Sequence, residues 1–154
     1  MPFVEHDEDR YPTGFFAEVL ESLFTPAITR AGLQVRTARR QGSDLIQHTI
    51  IRELLNADLV LADLTEHNPN VLFELGMRIA ENKPVVLVRA TGTGNIFDVD
   101  HVLRIQDYSP NLWPSTVAQD LPQLEAHVRA GWENRESTDT YRNILLGVAS
   151  SAAA

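Results

Sequence analysis

Cysteine is absent from the 154 residues, which removes disulfides, thiolate metal sites and a cysteine nucleophile from consideration. No apolar run approaches the roughly 18 residues that a membrane-spanning helix needs. Glu5, Asp7, Glu8 and Asp9 make the amino terminus the reverse of a signal-peptide n-region. The GxGxxG, GxxxxGK and GxSxG patterns are missing too, so dinucleotide-fold, P-loop and hydrolase-elbow sites lack their usual support. Basic residues are the minority, 13 Lys and Arg against 21 Asp and Glu, for a formal net charge of -8. Such a field repels phosphate backbones and anionic lipid, which argues against a general nucleic-acid or membrane surface while leaving room for a local basic pocket. The five histidines, His6, His48, His67, His101 and His127, show no metal-ligand spacing, and no metal is expected.

What is present reads as one soluble α/β domain. Hydrophobic residues at 44% and charged residues at 22% are ordinary for a globular chain of this size, and a cytoplasmic location is the default expectation. Met1 to Val4 is a fragment of an apolar run. A first helix opens at Thr13 or Gly14, carries Phe16, Val19, Leu20, Leu23 and Phe24 at three- and four-residue spacings, meets a kink or restart at Pro26, and closes at Gly32. Leu33 to Thr37 alternates as a short strand. Ser43 caps a helix through Leu54 and Leu55.

Asp58 to Ala62 and Val85 to Val88 are near-continuous apolar runs, as expected of strands covered by helices on both faces. Between them a helix runs from Pro69 or Asn70 to about Glu81. His101 to Ile105 is expected as an edge strand, and a last helix from Pro114 or Ser115 to about Trp132 carries Leu121, Leu124 and Val128. Strands alternating with helices give a layered α/β sandwich with a mostly parallel sheet of about five strands. Residues 1–132 are expected to form the domain, and 133–154 a linker or short extension.

The chemistry is expected where the Asp58 to Ala62 strand stops. In Asn68-Pro69-Asn70-Val71-Leu72-Phe73-Glu74-Leu75-Gly76 a polar loop restarts as a helix, so Asn70 and Glu74, four residues apart, look the same way. Glu74 is read at the first full turn, over the carboxyl edge of the strand, the usual place for a ligand in an open α/β sheet. Phe73, Leu72 and Leu75 would desolvate its carboxylate, while the first-turn amides pull its pKa the other way. Asp63 leaves the same strand, and Asn68 and Asn70 offer donors and acceptors to hydroxyls. The cluster suits a sugar better than a free phosphate, because two carboxylates repel phosphate unless Arg39, Arg40 or Arg89 compensates. A carboxylate facing an anomeric carbon can stabilise the charge developing there or attack it covalently. The structural alternatives are that Asp63 caps the loop, that Asn68 and Asn70 start the helix, and that Glu74 complements the helix dipole.

The block from Ala57 to Gly76, with Lys83-Pro84-Val85-Val86 and weaker landmarks at Met1-Pro2-Phe3, Ala31-Gly32-Leu33 and Ile96-Phe97-Asp98, resembles the bacterial TIR-like nucleotide-binding family of antiphage effectors. The resemblance spans roughly Met1 to Trp132. It implies a flavodoxin-like TIR sandwich and cleavage of the nicotinamide-ribose bond of NAD+, with Glu74 in the place of the family's catalytic glutamate. Asn70 and Asp63 would shape the ribose end, and the Arg39-Arg40 loop would reach the pyrophosphate. NAD+ is then the substrate and no cofactor is needed. It also implies self-association driven by a sensor domain or protein that binds a cyclic nucleotide, for which no module is visible in these residues. Nucleoside deoxyribosyltransferases share the fold and a helix-borne glutamate, but their Asp-x-Gly-Thr approach is replaced here by Asn68-Pro69-Asn70-Val71. A non-catalytic TIR-like assembly module is the third reading.

Overall fold

The computed structural model describes residues 14–37, 54–67, 69–94, 104–137 and 140–147. Three parallel strands, β1 (Val60–Asp63), β2 (Val85–Ala90) and β3 (Ile105–Tyr108), lie in that spatial order. Val60 pairs with Val85, and Leu87 pairs with Ile105. The expectation of an α/β build with a parallel sheet therefore holds for the described residues. Two strand positions differ from the sequence reading. Leu33 to Thr37 alternates between partly buried and exposed but pairs with no strand among the described residues, so hydrophobic alternation there is not accompanied by a ladder. The third strand begins at Ile105, the last residue expected in it, because Gln106, Asp107 and Tyr108 find register partners in Val88, Arg89 and Ala90. Met1 to Val4, most of the Ser43 helix and His101 to Leu103 lie outside the described residues.

The first helical run, α1, has three segments: Phe15–Val19, a π-helical turn Leu20–Phe24, and Thr25–Arg30. Gly14 precedes it at φ 86, a left-handed conformation that costs a residue without Cβ little. Proline in a helix interior removes an amide donor and crowds the carbonyl one turn back. Here the widened π turn comes immediately before Pro26, and the helix runs on without a break. It ends at Gly32, φ 87, whose N–H donates to the Thr29 carbonyl while the Leu33 N–H reaches Ile28, a Schellman closure.

The remaining helices are α2 (Pro69–Ala80), α3 (Pro114–Glu133) and α4 (Tyr141–Leu145). The six residues of β2 show why its sequence is apolar throughout. Val86, Val88 and Ala90 point to one side, where they meet α1 and α3 through Phe15, Phe24, Leu124 and Val128, with Tyr108 of β3 in the same cluster. Val85 and Leu87 point to the other, against Val71 and Leu75 of α2 and Tyr141 of α4. Three layers result, and each fully buried Leu or Val contributes about 2 kcal/mol through lost apolar exposure. Gly131 lets α3 close on the sheet, since a Cβ there would stand 2.4 Å from Cγ2 of Val86. The segment after Trp132 is not only a linker. Tyr141 is buried, and its hydroxyl donates to the Arg104 carbonyl at 2.8 Å, so the chain is packed back onto the sheet.

Candidate functional site

At the carboxyl edge of the sheet, β1 ends in Asp63, which is 0% exposed. Its Oδ1 accepts the Thr65 hydroxyl at 2.6 Å and the Thr65 N–H at 3.1 Å, and its Oδ2 accepts the Tyr108 hydroxyl at 2.9 Å. The Thr65 hydroxyl oxygen in turn accepts the Ala90 N–H at 2.9 Å and lies 3.2 Å from the Tyr108 hydroxyl. One carboxylate thus ties together the ends of all three strands. Burial pushes the Asp63 carboxyl above its ordinary value, and the bonds from Thr65 and Tyr108 pull it part of the way back. Expected at the ribose end of a ligand, Asp63 instead has both oxygens occupied internally and shows no surface in this conformation. A side chain at the strand's last residue faces the α1 and α3 layer by simple alternation, and there Tyr108 is waiting for it.

The connection from β1 to α2 is short and strained. A 3-10 turn, Thr65–His67, contains two consecutive non-glycine residues in the left-handed region, Glu66 at φ 64 and His67 at φ 52. Bulky side chains rarely adopt such angles, and each costs of order 1 kcal/mol or more. The His67 Nε2 stands 3.1 Å from the Gly94 carbonyl, linking this turn to the loop after β2. Among the described residues, both carboxylate oxygens of Glu66 are buried without a hydrogen-bond partner, and so is the hydroxyl of Thr93 on that neighbouring loop. Native structures rarely leave such groups unmatched.

Pro69 opens α2, where a missing amide costs least. Asn70 is exposed on its first turn, and Glu74, four residues on, is half-buried. Glu74 is the sixth residue of the helix, and no acid occupies the first turn. The reading of Glu74 as a first-turn acid paired with the dipole is therefore corrected, because the dipole effect fades beyond one turn. The expected desolvation by Phe73 is corrected too. That ring is 62% exposed, while Val71 and Leu75 hold the buried face. Asn68, Arg39 and Arg40 lie outside the described residues. Arg89, considered as a phosphate partner, forms an ion pair at 3.0 Å with Asp107, its register partner on β3. Trp113, just before α3, is 67% exposed.

Asp63 is the buried last residue of β1, and Asn70 and Glu74 are the second and sixth residues of the helix that follows. Sequence reasoning missed Thr65, Glu66 and Tyr108. Thr65 carried a local signal, since a hydroxyl two residues after Asp commonly bonds back to it. Tyr108 carried none, being 45 positions away from its partner Asp63. Arg78 was also missed, although its spacing from Val71 and Leu75 places it on the buried face of α2. It is 0% exposed and donates to the carbonyls of Leu54, Ala57 and Pro84. Burial holds its guanidinium below its usual value, and the charge of Asp58 opposes that.

Among the described residues no group of three or more His, Asp or Glu side chains is placed to hold a metal ion, and no helix is long and apolar enough to cross a membrane. No protein-family model matches the chain, and no curated protein matches it.

Proposed function

We propose that this chain is an NAD+ glycohydrolase domain of the TIR-like type, working at the carboxyl edge of a flavodoxin-like sheet of about five strands. The observation that carries the proposal is the position of Glu74, half-buried on the helix that leaves the end of β1. Ligands of open α/β sheets sit in that crevice. The unmatched buried oxygens of Glu66 and Thr93 on the adjoining turns add support, because they are hydrogen-bonding capacity that a ligand can satisfy.

In the proposed reaction the bond between the nicotinamide nitrogen and ribose C1′ breaks, and its electron pair stays on nicotinamide. Positive charge develops at the ribosyl centre, and the Glu74 carboxylate stabilises that charge or holds the ribose hydroxyls. Water then attacks C1′ and releases a proton. Asn70 shapes the ribose end from the same helix face, and the Arg39-Arg40 segment and Asn68 contribute to binding the rest of the dinucleotide. Asp63 acts beneath them by fixing the strand end. A sensor domain or protein that binds a cyclic nucleotide drives self-association and switches the activity on, in antiphage defence in the cytoplasm.

The test is nicotinamide release by concentrated or tethered protein, with Glu74→Gln beside the unaltered chain. A loss of about 100-fold or more on substitution is expected for a group that stabilises transition-state charge. Equal release by both proteins would reject Glu74. Base exchange between nucleosides without NAD+ cleavage would favour the deoxyribosyltransferase reading, and ordered assemblies without turnover would favour a scaffold.

A further inference from the structure

A second concave site lies at the opposite, amino-terminal edge of the sheet. It is a cleft of about 110 Å³ between the starts of β2 and β3, the last two turns of α3 and the start of α4. Lys83, Arg104, His127 and Arg135 line it, and among its described lining residues none is acidic. In a chain with a formal net charge of -8 this is a local reversal of sign.

Lys83 and Arg135 are held in place without an ion pair among the described residues. The Lys83 ammonium spends one hydrogen on the Leu55 carbonyl, leaving two of its three donors. The Arg135 guanidinium stacks 3.9 Å from the centre of the Trp132 ring and gives one N–H to the Trp132 carbonyl, leaving the rest of its fork. Neither forms an ion pair among the described residues, where the pairs are Arg89 with Asp107 and Arg129 with Glu125. The Thr140 hydroxyl accepts the Asn143 N–H and keeps its own proton to donate. His127 approaches the Leu87 carbonyl through Nε2 at 2.9 Å. Burial first holds the imidazole below its ordinary value; the bond to the Leu87 carbonyl opposes that, and the charge of Arg104 adds to it.

We propose that this cleft binds a phosphate group, free or carried by a small molecule, through Lys83, Arg104, Arg135 and the Thr140 hydroxyl. Its size suits one tetrahedral oxyanion and not a whole dinucleotide. It lies at the other end of the strands from Glu74, so it is separate from the proposed substrate site and does not depend on that assignment.

The experiment is a titration of the full chain with inorganic phosphate and, separately, with a nucleoside monophosphate at constant ionic strength. It follows the His127 ring and the Gly131 amide by NMR. Saturable shifts at both positions are expected. Arg135→Gln, at an exposed position, and Lys83→Gln are each expected to weaken binding about tenfold, the effect of one charge-assisted hydrogen bond. Tighter binding of the nucleotide would identify a carried phosphate, and equal binding a free one. Shifts that rise linearly without saturation, or that map away from the cleft, would overturn the proposal, as would unchanged affinity in folded Arg135→Gln.

Discussion

The two ends of the sheet differ in sign and in how their polar groups are satisfied. At the carboxyl end strained turns follow Asp63, and among the described residues the oxygens of Glu66 and the hydroxyl of Thr93 are buried without a partner. At the amino end stand Arg78, Lys83, Arg104 and Arg135, several of them donating to backbone carbonyls. The direction of α2 accounts for part of this division. Its amide-rich start faces the carboxyl edge and its carbonyl-rich end faces the amino edge, where Arg78 and Lys83 lie. The amino end is therefore built for holding the layers together, with a cationic cleft left over. Among the described residues the carboxyl end keeps unmatched oxygens on Glu66 and Thr93, and the amino end keeps one unmatched donor, the Nε of Arg78.

The largest effect that would test this contrast is at Arg78. Replacing it with Met leaves the carbonyls of Leu54, Ala57 and Pro84 without their donor, and a loss of about 3 kcal/mol or more is expected in urea unfolding. A loss below about 1 kcal/mol would mean that water or backbone shifts serve those carbonyls equally well.

Asp63→Ala comes next, at about 2 to 3 kcal/mol, because Thr65 and Tyr108 lose their acceptor in a buried site. Its pH dependence has a defined sign. A carboxyl whose folded pKa is raised above the unfolded value of 3.8 binds its proton more tightly when folded. The contribution is thus fully present below 3.8 and is lost as pH rises through the higher folded value. Asp63→Asn should abolish that part of the slope, which unfolding at a series of pH values would measure.

Gly131→Ala should cost about 2 kcal/mol by overpacking, since the new methyl meets Val86, a stiff side chain in a buried strand. Paired with Val86→Ala it should recover most of the loss. The smallest effect has the opposite direction. Glu66→Gly relieves a left-handed residue and removes two unmatched oxygens, so it should stabilise the fold by about 1 kcal/mol. Thermal unfolding checks the gain, and a parallel fall in nicotinamide release would show that the strain serves a ligand.

Much of the site's frame was legible in the sequence because it is local. Pro69 at a helix start, Asn82 at φ 56 where α2 closes, and Gly32 after α1 are single-residue signals whose physics acts over one turn. The buried strands were legible because a run such as Val85-Val86-Leu87-Val88 is costly to expose on either face. The π turn before Pro26 was readable only as a kink, since proline says that a bond is lost and not how the helix makes room.

By itself the sequence determined the alternation of strand and helix, the two-faced burial of β2, and the presence of Asn70 and Glu74 on one helix face, because each follows from side-chain period and local backbone preference. Only the tertiary structure decided that Asp63 is sealed beneath Tyr108, that Phe73 stands in solvent, and that three cations and His127 from separate segments share one cleft. Those outcomes depend on which residues meet across the sheet. No window of neighbouring residues contains that information, because the partners are tens of positions apart and come together only when the layers pack.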